Sequence, residues 1–283
     1  MKNLLCILLF LIPVIGKADG VYRNWDDALA DKEFVRVLHM TYRAMDTIPD
    51  VLDQFPNLEE INFSNNRIAY LPPSILKCHK LKKLVLFRNK IKALPDGIYQ
   101  LERLEHLSVS YNDLTTLPDS IGYLPSLTVL YLNGNDIVSL PASIGNLKKL
   151  VSLRVGSNRL EKLPPEITQL KSLQLLDIGN NYIEALPENI GDLSELHFFY
   201  LQQNRLVTIP ESLGKCRKLQ ELDVVRCGAL RMPASLADIA KLEEVYVDER
   251  IIVFYQNPLY RYRQRITVVT SFDPNIYRPS KAE

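Results

Sequence analysis

Cysteine is scarce in this chain of 283 residues, with four in all, at Cys6, Cys78, Cys216 and Cys227. If the first eighteen residues were removed, three would remain, and an odd, sparse set excludes a disulfide framework. Net charge is almost absent too. Lys and Arg number 34 against 33 Asp and Glu, a formal balance of +1, so nothing points to nucleic acid or an anionic membrane as the main partner. The CxxC, GxSxG, phosphate-loop and HExxH patterns are missing, so neither a metal nor a cofactor is expected. The four histidines, His39, His79, His106 and His197, stand at unrelated spacings. They compose no set of nucleophile, base and orienting carboxylate, and no catalytic residue is assigned. The expectation is a protein that is not an enzyme.

Long apolar runs are missing beyond the N-terminus, so no membrane span is expected. The N-terminus itself reads MKNLLCILLFLIPVIGKADG. Lys2, the apolar stretch Leu4 to Ile15 and the small residues around Ala18 have the order of a secretory signal peptide over 1–18. Cys6 lies early in the apolar stretch rather than beside the cleavage site, which argues against a lipoprotein. The expected location is secreted or periplasmic.

What the chain does have is a period. Prolines recur every 23 residues from Pro49 through Pro118 to Pro233. A second series holds Asn66, Asn89, Asn112, Asn135, Asn158, Asn181 and Asn204, and its next position is Cys227. Between them run segments such as LPDSIGYLPSLTVLYLNGNDIVSLP, residues 117 to 141. These columns resemble the leucine-rich repeat, in its 23-residue form LPxxIxxLxxLxxLxLxxN. That form is similar to bacterial secreted repeat proteins and to plant intracellular Ras-group-related and disease-resistance repeats. The resemblance covers 37–252 in about ten units. It implies an α/β fold, a right-handed solenoid or horseshoe with a parallel sheet on the concave face and short helical or irregular segments on the convex face.

The columns have a physical logic. Pairs such as Leu130 and Leu132 alternate as a short strand requires, and stacking joins them into one core. The column Ile75, Ile98, Ile121, Ile144, Ile167, Ile190, Leu213 and Leu236 is expected to fill the convex side. Each ladder asparagine has two donors and one acceptor, enough to bond backbone groups in its own turn and the next. Cys227 takes a position where the resemblance tolerates Asn or Cys, so a buried structural thiol is expected. Cys78 and Cys216 share the column of Leu101, Leu124, Leu147 and Leu170 and should be buried too. After Cys227, Gly228 is expected to let Leu230 rather than Ala229 enter the core.

The ends depart from the pattern. Arg43 and Arg250 stand at ladder positions, as suits capping units in water. Residues 24–38, NWDDALADKEFVRVL, read as an amphipathic helical N-terminal cap starting at Asn24 or Asp26, within a cap region 19–36. Residues 253–283 leave the repeat and read as a β-type C-terminal cap and tail. Within them LYRYRQRITVVTSF has a strand pattern with one basic face, and 259–265 could bind a partner. Some proteins of the resembling family carry an appended ubiquitin-ligase domain with a nucleophilic cysteine. The 253–283 segment contains no cysteine, which leaves that activity without a domain.

Function is then expected on the outward positions of the strands. Phe87, Arg88, His106, Tyr111, Tyr131, Arg154, Phe198, Tyr200 and Tyr246 form an aromatic and basic stripe of hot-spot composition. Charge also changes along it, from Lys83, Arg88 and Arg154 to Asp177, Glu221, Asp223, Glu244 and Asp248. The expected function is an exported, monomeric interaction module that binds a protein or peptide partner through the concave face. Carbohydrate binding on the same rings is the alternative. Asn62-Phe63-Ser64 matches a glycosylation sequon, but it lies in an expected strand.

Overall fold

The computed structural model describes residues 19–248 and 266–269, so the 1–18 segment, Arg250 and the basic 259–265 segment lie outside the described residues. Within them one open sheet runs in sequence order. Its strands are β1 (Val21–Tyr22), β2 (Val37–His39), β3 (Glu60–Asn62), β4 (Lys83–Val85), β5 (His106–Ser108) and β6 (Val129–Tyr131). There follow β7 (Ser152–Arg154), β8 (Leu175–Asp177), β9 (Phe198–Tyr200), β10 (Glu221–Asp223), β11 (Glu244–Asp248) and β12 (Ile266–Val269). All neighbours are parallel, and from β2 to β11 each residue pairs with the one 23 further on, as in Leu107 with Leu130. The period of the sequence is therefore the register of the sheet, and each column becomes a row of side chains roughly 4.8 Å apart.

The leucine rows are fully buried and merge into a single core with the Ile75 to Leu236 column behind them. The convex segments are turns of 3-10 helix, three to five residues each, such as Asp119–Tyr123 and Pro165–Gln169. Proline sets their start. Pro118 has φ −69 and ψ 147, extended backbone that delivers the chain into the turn without needing an N–H bond. The turns stack closely enough that a Cβ on Gly191 would lie 1.7 Å from the Ser212 carbonyl oxygen.

The ladder asparagines are buried and bond in a repeated way. Asn135 donates from Nδ2 to the carbonyl oxygens of Leu132 at 2.8 Å and Val109 at 3.0 Å, and its Oδ1 accepts the Leu114 N–H at 3.0 Å. The other asparagines repeat this set, for example Asn89 with Leu86, Phe63 and Ile68. The partners lie in the asparagine's own turn and in the preceding one, whereas the sequence reading placed them in the following one. The reason is geometric, since the backbone groups left over by each repeat flank its own ladder position, as Val109 and Leu114 flank Asn112, within reach of the next asparagine.

Cys227 keeps one of these bonds, from Sγ to the Leu201 carbonyl oxygen at 3.2 Å. A thiol has no carbonyl to offer, and the Leu206 N–H, which an asparagine would take, has no acceptor among the described residues. Gly228 adopts φ +80 just afterwards, Ala229 is exposed, and Leu230 is buried in the core. Cys78, Cys216 and Cys227 are all buried free thiols, and burial pushes each thiol up to about 12.

The N-terminal unit is more than a helix. α1 (Trp25–Ala30) starts at Asn24, whose Oδ1 accepts the Asp27 N–H at 2.8 Å, and it buries Ala28. The Trp25 ring lies 5.8 Å from the Phe63 ring. β1 adds an edge strand that the helical pattern did not suggest. The helix ends at Asp31, a turn of 3-10 helix follows, and Phe34, expected on the apolar side, is consequently exposed. At the ladder's first position Arg43 is exposed, with its guanidinium donating to the Arg23 carbonyl oxygen.

Two outcomes are expected. Asn135→Ala removes three bonds and strands buried backbone groups, so chemical denaturation should show a loss of about 2–4 kcal/mol, against about 1 kcal/mol for Cys227→Ala. Equal losses at the two positions would refute a ladder function for the amide. The three thiols of the native protein should react with a thiol reagent at pH 8 only on the timescale of unfolding.

Candidate functional site

Three rows of outward side chains make the concave face, and a fourth row borders it. The fourth arises from the backbone. The residue before each ladder position is left-handed, including Asn65, Arg88 at φ 53, Tyr111 at φ 57, Ser157, Asn180, Gln203 and Arg226, with Gly134 the glycine among them. This conformation is uncommon for residues with a Cβ. The N–H groups of Arg88 and Tyr111 bond across to the Ser110 and Asn133 carbonyl oxygens of the next repeats, which holds the turn.

At the β4 to β7 end the face is aromatic and basic. The Arg88 guanidinium carbon lies 5.2 Å from the Phe87 ring and 5.7 Å from the Tyr111 ring, and those rings meet edge to face at 5.3 Å. Next to it His106 and Tyr131 meet edge to face at 5.5 Å, and Arg154 lies 5.1 Å from the Tyr131 ring. These contacts hold flexible cations in place by cation–π attraction. Tyr111 is 51% exposed and Arg88 is exposed, whereas Phe87, His106, Tyr131 and Arg154 are half-buried. His106 is held below the usual imidazole range by burial and by Lys83, so its ring is neutral at pH 7. Its outer side borders an open groove of about 360 Å³ among the Arg36–Glu59, Lys82–Glu59 and Lys83–Glu60 ion pairs.

The β8 to β11 end is acidic. Glu221 stands beside Glu244 in the first row, and the second row runs Asp177, Tyr200, Asp223, Tyr246. Asp223 is 1% exposed, and its Oδ1 accepts the Val225 N–H at 3.0 Å. Burial, with Glu221 and Asp177 adding repulsion, raises its carboxyl to about 7 against the Val225 bond. Glu221 is raised by burial and by Glu244, and Asp177 is raised by burial although the Gly179 N–H and Arg154 pull the other way. Tyr246 donates to Glu244. No lysine, arginine or histidine pairs with Glu221, Asp223 or Glu244 among the described residues.

The residues expected to share one exposed stripe therefore separate. Phe87, Arg88, His106, Tyr111, Tyr131 and Arg154 adjoin one another, while Phe198, Tyr200 and Tyr246 lie among the acids. Tyr200 departs from expectation, being 2% exposed. It stands between Asp177 and Asp223 in the second row, and it helps to hold the Glu221 carboxyl down against burial. Ser152 and Gln202 stand on the same face, at outward positions of the repeat. Ser152 Oγ and Gln202 Oε1 are buried without a hydrogen-bond partner among the described residues. Their positions follow from the 23-residue count, but their unmet bonding does not. Of the other histidines, His79 is exposed, and His197 Nδ1 lies 2.6 Å from the Glu195 carbonyl oxygen. No group of residues suited to a metal ion occurs among the described residues, and no helix there is long and apolar enough to cross a membrane.

Three family models match the chain, described as "Leucine-rich repeat region" over 157–250, "Leucine rich repeat" over 79–137 and "Leucine Rich repeats (2 copies)" over 56–99. The chain is a leucine-rich-repeat protein. Its parallel sheet and short turns are those of a horseshoe solenoid, and solved structures agree. It is similar to the plant peptide hormone receptor RGFR1 in complex with RGF2, at 25% identity and TM-score 0.62, over 77% of this chain and 41% of that one. It is also similar to PEPR1 with AtPEP1, at 26% identity and TM-score 0.63, over 85% of this chain and 38% of that one. An internalin of Listeria monocytogenes has TM-score 0.64 at 18% identity, over 80% and 72% of the two chains, a likeness of fold alone. The flightless-1 homolog of Caenorhabditis elegans is 42% identical over 52 residues, which are 18% of this chain and 4% of that protein. This leucine-rich-repeat protein thus spans about two fifths of the length of the RGFR1 and PEPR1 chains.

The raised Asp223 carboxyl has a definite linkage sign. The folded state holds its proton up to about pH 7, while the unfolded chain loses it near 3.8. Its contribution is intact only below about 3.8, and stability falls as pH rises from there to about 7. Asp223→Asn should therefore gain on the wild type by about 2–4 kcal/mol at pH 8 and by little at pH 4. Denaturation at the two pH values checks this, and an equal difference at both would count against the assignment.

Proposed function

We propose that this leucine-rich-repeat protein is a non-enzymatic interaction module that binds a polypeptide segment on its concave face. The observation that carries the reading is the Phe87–Arg88–Tyr111 and His106–Tyr131–Arg154 cluster. It presents rings and guanidinium groups already packed in place, on a sheet face that nothing else in the described chain covers. Side chains ordered before binding lose little rotamer freedom on contact, which favours affinity. Tyrosine and arginine are the residues that most often dominate binding energy. Two similar structures support the ligand class, a plant peptide hormone receptor in complex with RGF2 and PEPR1–AtPEP1.

Export belongs to the same proposal. The 1–18 segment has the order of a secretory signal, and extracellular or periplasmic placement would suit a receptor of peptides. Intact-mass measurement on protein from the native host should give a chain beginning near Asp19, and an uncleaved Met1 would refute export by this route.

The binding reading is tested with a displayed library of random dodecapeptides. Wild-type protein should enrich binders, and Tyr111→Ala combined with Tyr131→Ala should weaken them by about tenfold or more. The melting temperature should move by no more than about 4 °C, since neither ring lies in the core. Binders unaffected by both changes would remove the concave face as the site. Ring-dependent binding on a glycan array, with no peptide enriched, would establish the carbohydrate alternative in its place.

A further inference from the structure

The concave face is not uniform, and its two ends ask for opposite charges. At one end Arg88 is exposed, fixed between the Phe87 and Tyr111 rings, and has no carboxylate partner among the described residues. Contact with two rings set edge to face holds that guanidinium on the face by cation–π attraction, and its N–H groups are those that take a carboxylate. At the other end Glu221, Asp223 and Glu244 sit on adjacent strands in register, bonded to neutral donors rather than to a cation. Glu221 repels Asp223, and Glu244 repels Glu221. Bringing one ammonium or guanidinium group over this cluster would relieve that repulsion.

Between the ends the face is polar, with Asn133 Oδ1 accepting the Gly156 N–H at 3.1 Å. Ser152 Oγ and Gln202 Oε1 have no partner among the described residues. An extended backbone crossing the strands offers N–H and C=O groups along its whole length to such a polar face. The span is also defined. Arg88 follows β4 and Asp223 ends β10, six strand spacings apart, which is roughly 29 Å. An extended chain covers that in about nine residues.

On the reading that the concave face binds a polypeptide, we propose that its partner is an extended, oppositely charged segment laid across the strands in one orientation. An acidic side chain sits on Arg88, and a lysine or arginine about eight to ten residues away sits over Glu221, Asp223 and Glu244. Charge at both ends fixes the direction of the segment, while the rings supply the binding area. Such an arrangement selects register as well as composition, because a segment shifted by a few residues meets the wrong charge at one end.

The test uses the full chain and the dodecapeptide library. The pool enriched by wild type should carry one acidic and one basic residue eight to ten positions apart, well above the unselected library. Arg88→Glu should reselect a pool in which the acidic residue is gone and a basic one takes its place, and should weaken wild-type binders by about tenfold. Glu221→Gln with Glu244→Gln should relax the basic position alone. Raising salt from about 50 to 500 mM should weaken wild-type binders several-fold.

A ring-dependent pool with no paired charges, or one unchanged by Arg88→Glu, would overturn the oriented-segment proposal and leave the binding function standing. Failure to enrich any peptide would overturn both. Self-association by light scattering that Arg88→Glu abolishes would assign the face to a second copy of this chain and overturn the proposal as well.

Discussion

The amide of the ladder asparagine is the interaction on which the rest of the molecule depends. Parallel strands of three residues cannot meet their own hydrogen bonds at the turn that follows, and buried backbone groups without partners are costly. One side chain per repeat, using two donors and one acceptor, closes this gap between adjacent turns. That closure sets the spacing of neighbouring repeats, and the spacing sets the register. Every outward side chain then stands above the one 23 residues away. The concave face is an indirect product of the ladder, since without strict stacking Phe87, Arg88 and Tyr111 would not meet.

The same stacking explains the contrast between the two ends of the face. Rows spaced by about 4.8 Å force neighbours on adjacent strands into contact, whatever their charge. Where the row holds rings and cations, contact is favourable and orders the side chains. Where it holds carboxylates, contact is repulsive, and burial with repulsion raises the Glu221 and Asp223 carboxyls. The solenoid tolerates the second arrangement because its core, formed by the leucine and isoleucine rows behind the sheet, supplies stability independently of the face. A surface relieved of structural duty can keep carboxylates that repel one another.

Much of this was legible before any coordinates, and the limits are instructive. The 23-residue recurrence of Pro, Ile, Leu and Asn yielded the strands, the core columns and the outward rows, because each column answers one physical demand. The caps were less legible. The exposure of Phe34 depends on where a six-residue helix ends, and β1 on a two-residue stretch ahead of it, local matters that periodicity does not reach. The burial of Tyr200 could not be read from alternation, which says only that a side chain points outward and not how far its neighbours lean over it. Left-handed backbone at Arg88 and Tyr111 was hidden as well. Glycine usually signals that conformation, and here it appears only at Gly134 in the row that borders the site.

The replacement at Cys227 has a consequence for motion. A stacked array opens at its weakest joint, because each repeat touches only its neighbours. Between the Asn204 and Cys227 turns the acceptor for the Leu206 N–H is gone, and the chain re-joins further on through Arg231, whose N–H bonds the Val207 carbonyl oxygen at 2.9 Å. Amide exchange should accordingly divide the solenoid there, with the block from β2 to β9 opening as one cooperative unit and the block that carries β10 and β11 opening at lower free energy. The carboxylates Glu221, Asp223 and Glu244 all belong to the looser block. The acidic half of the face thus rides on the part of the molecule best able to adjust its position relative to the rest.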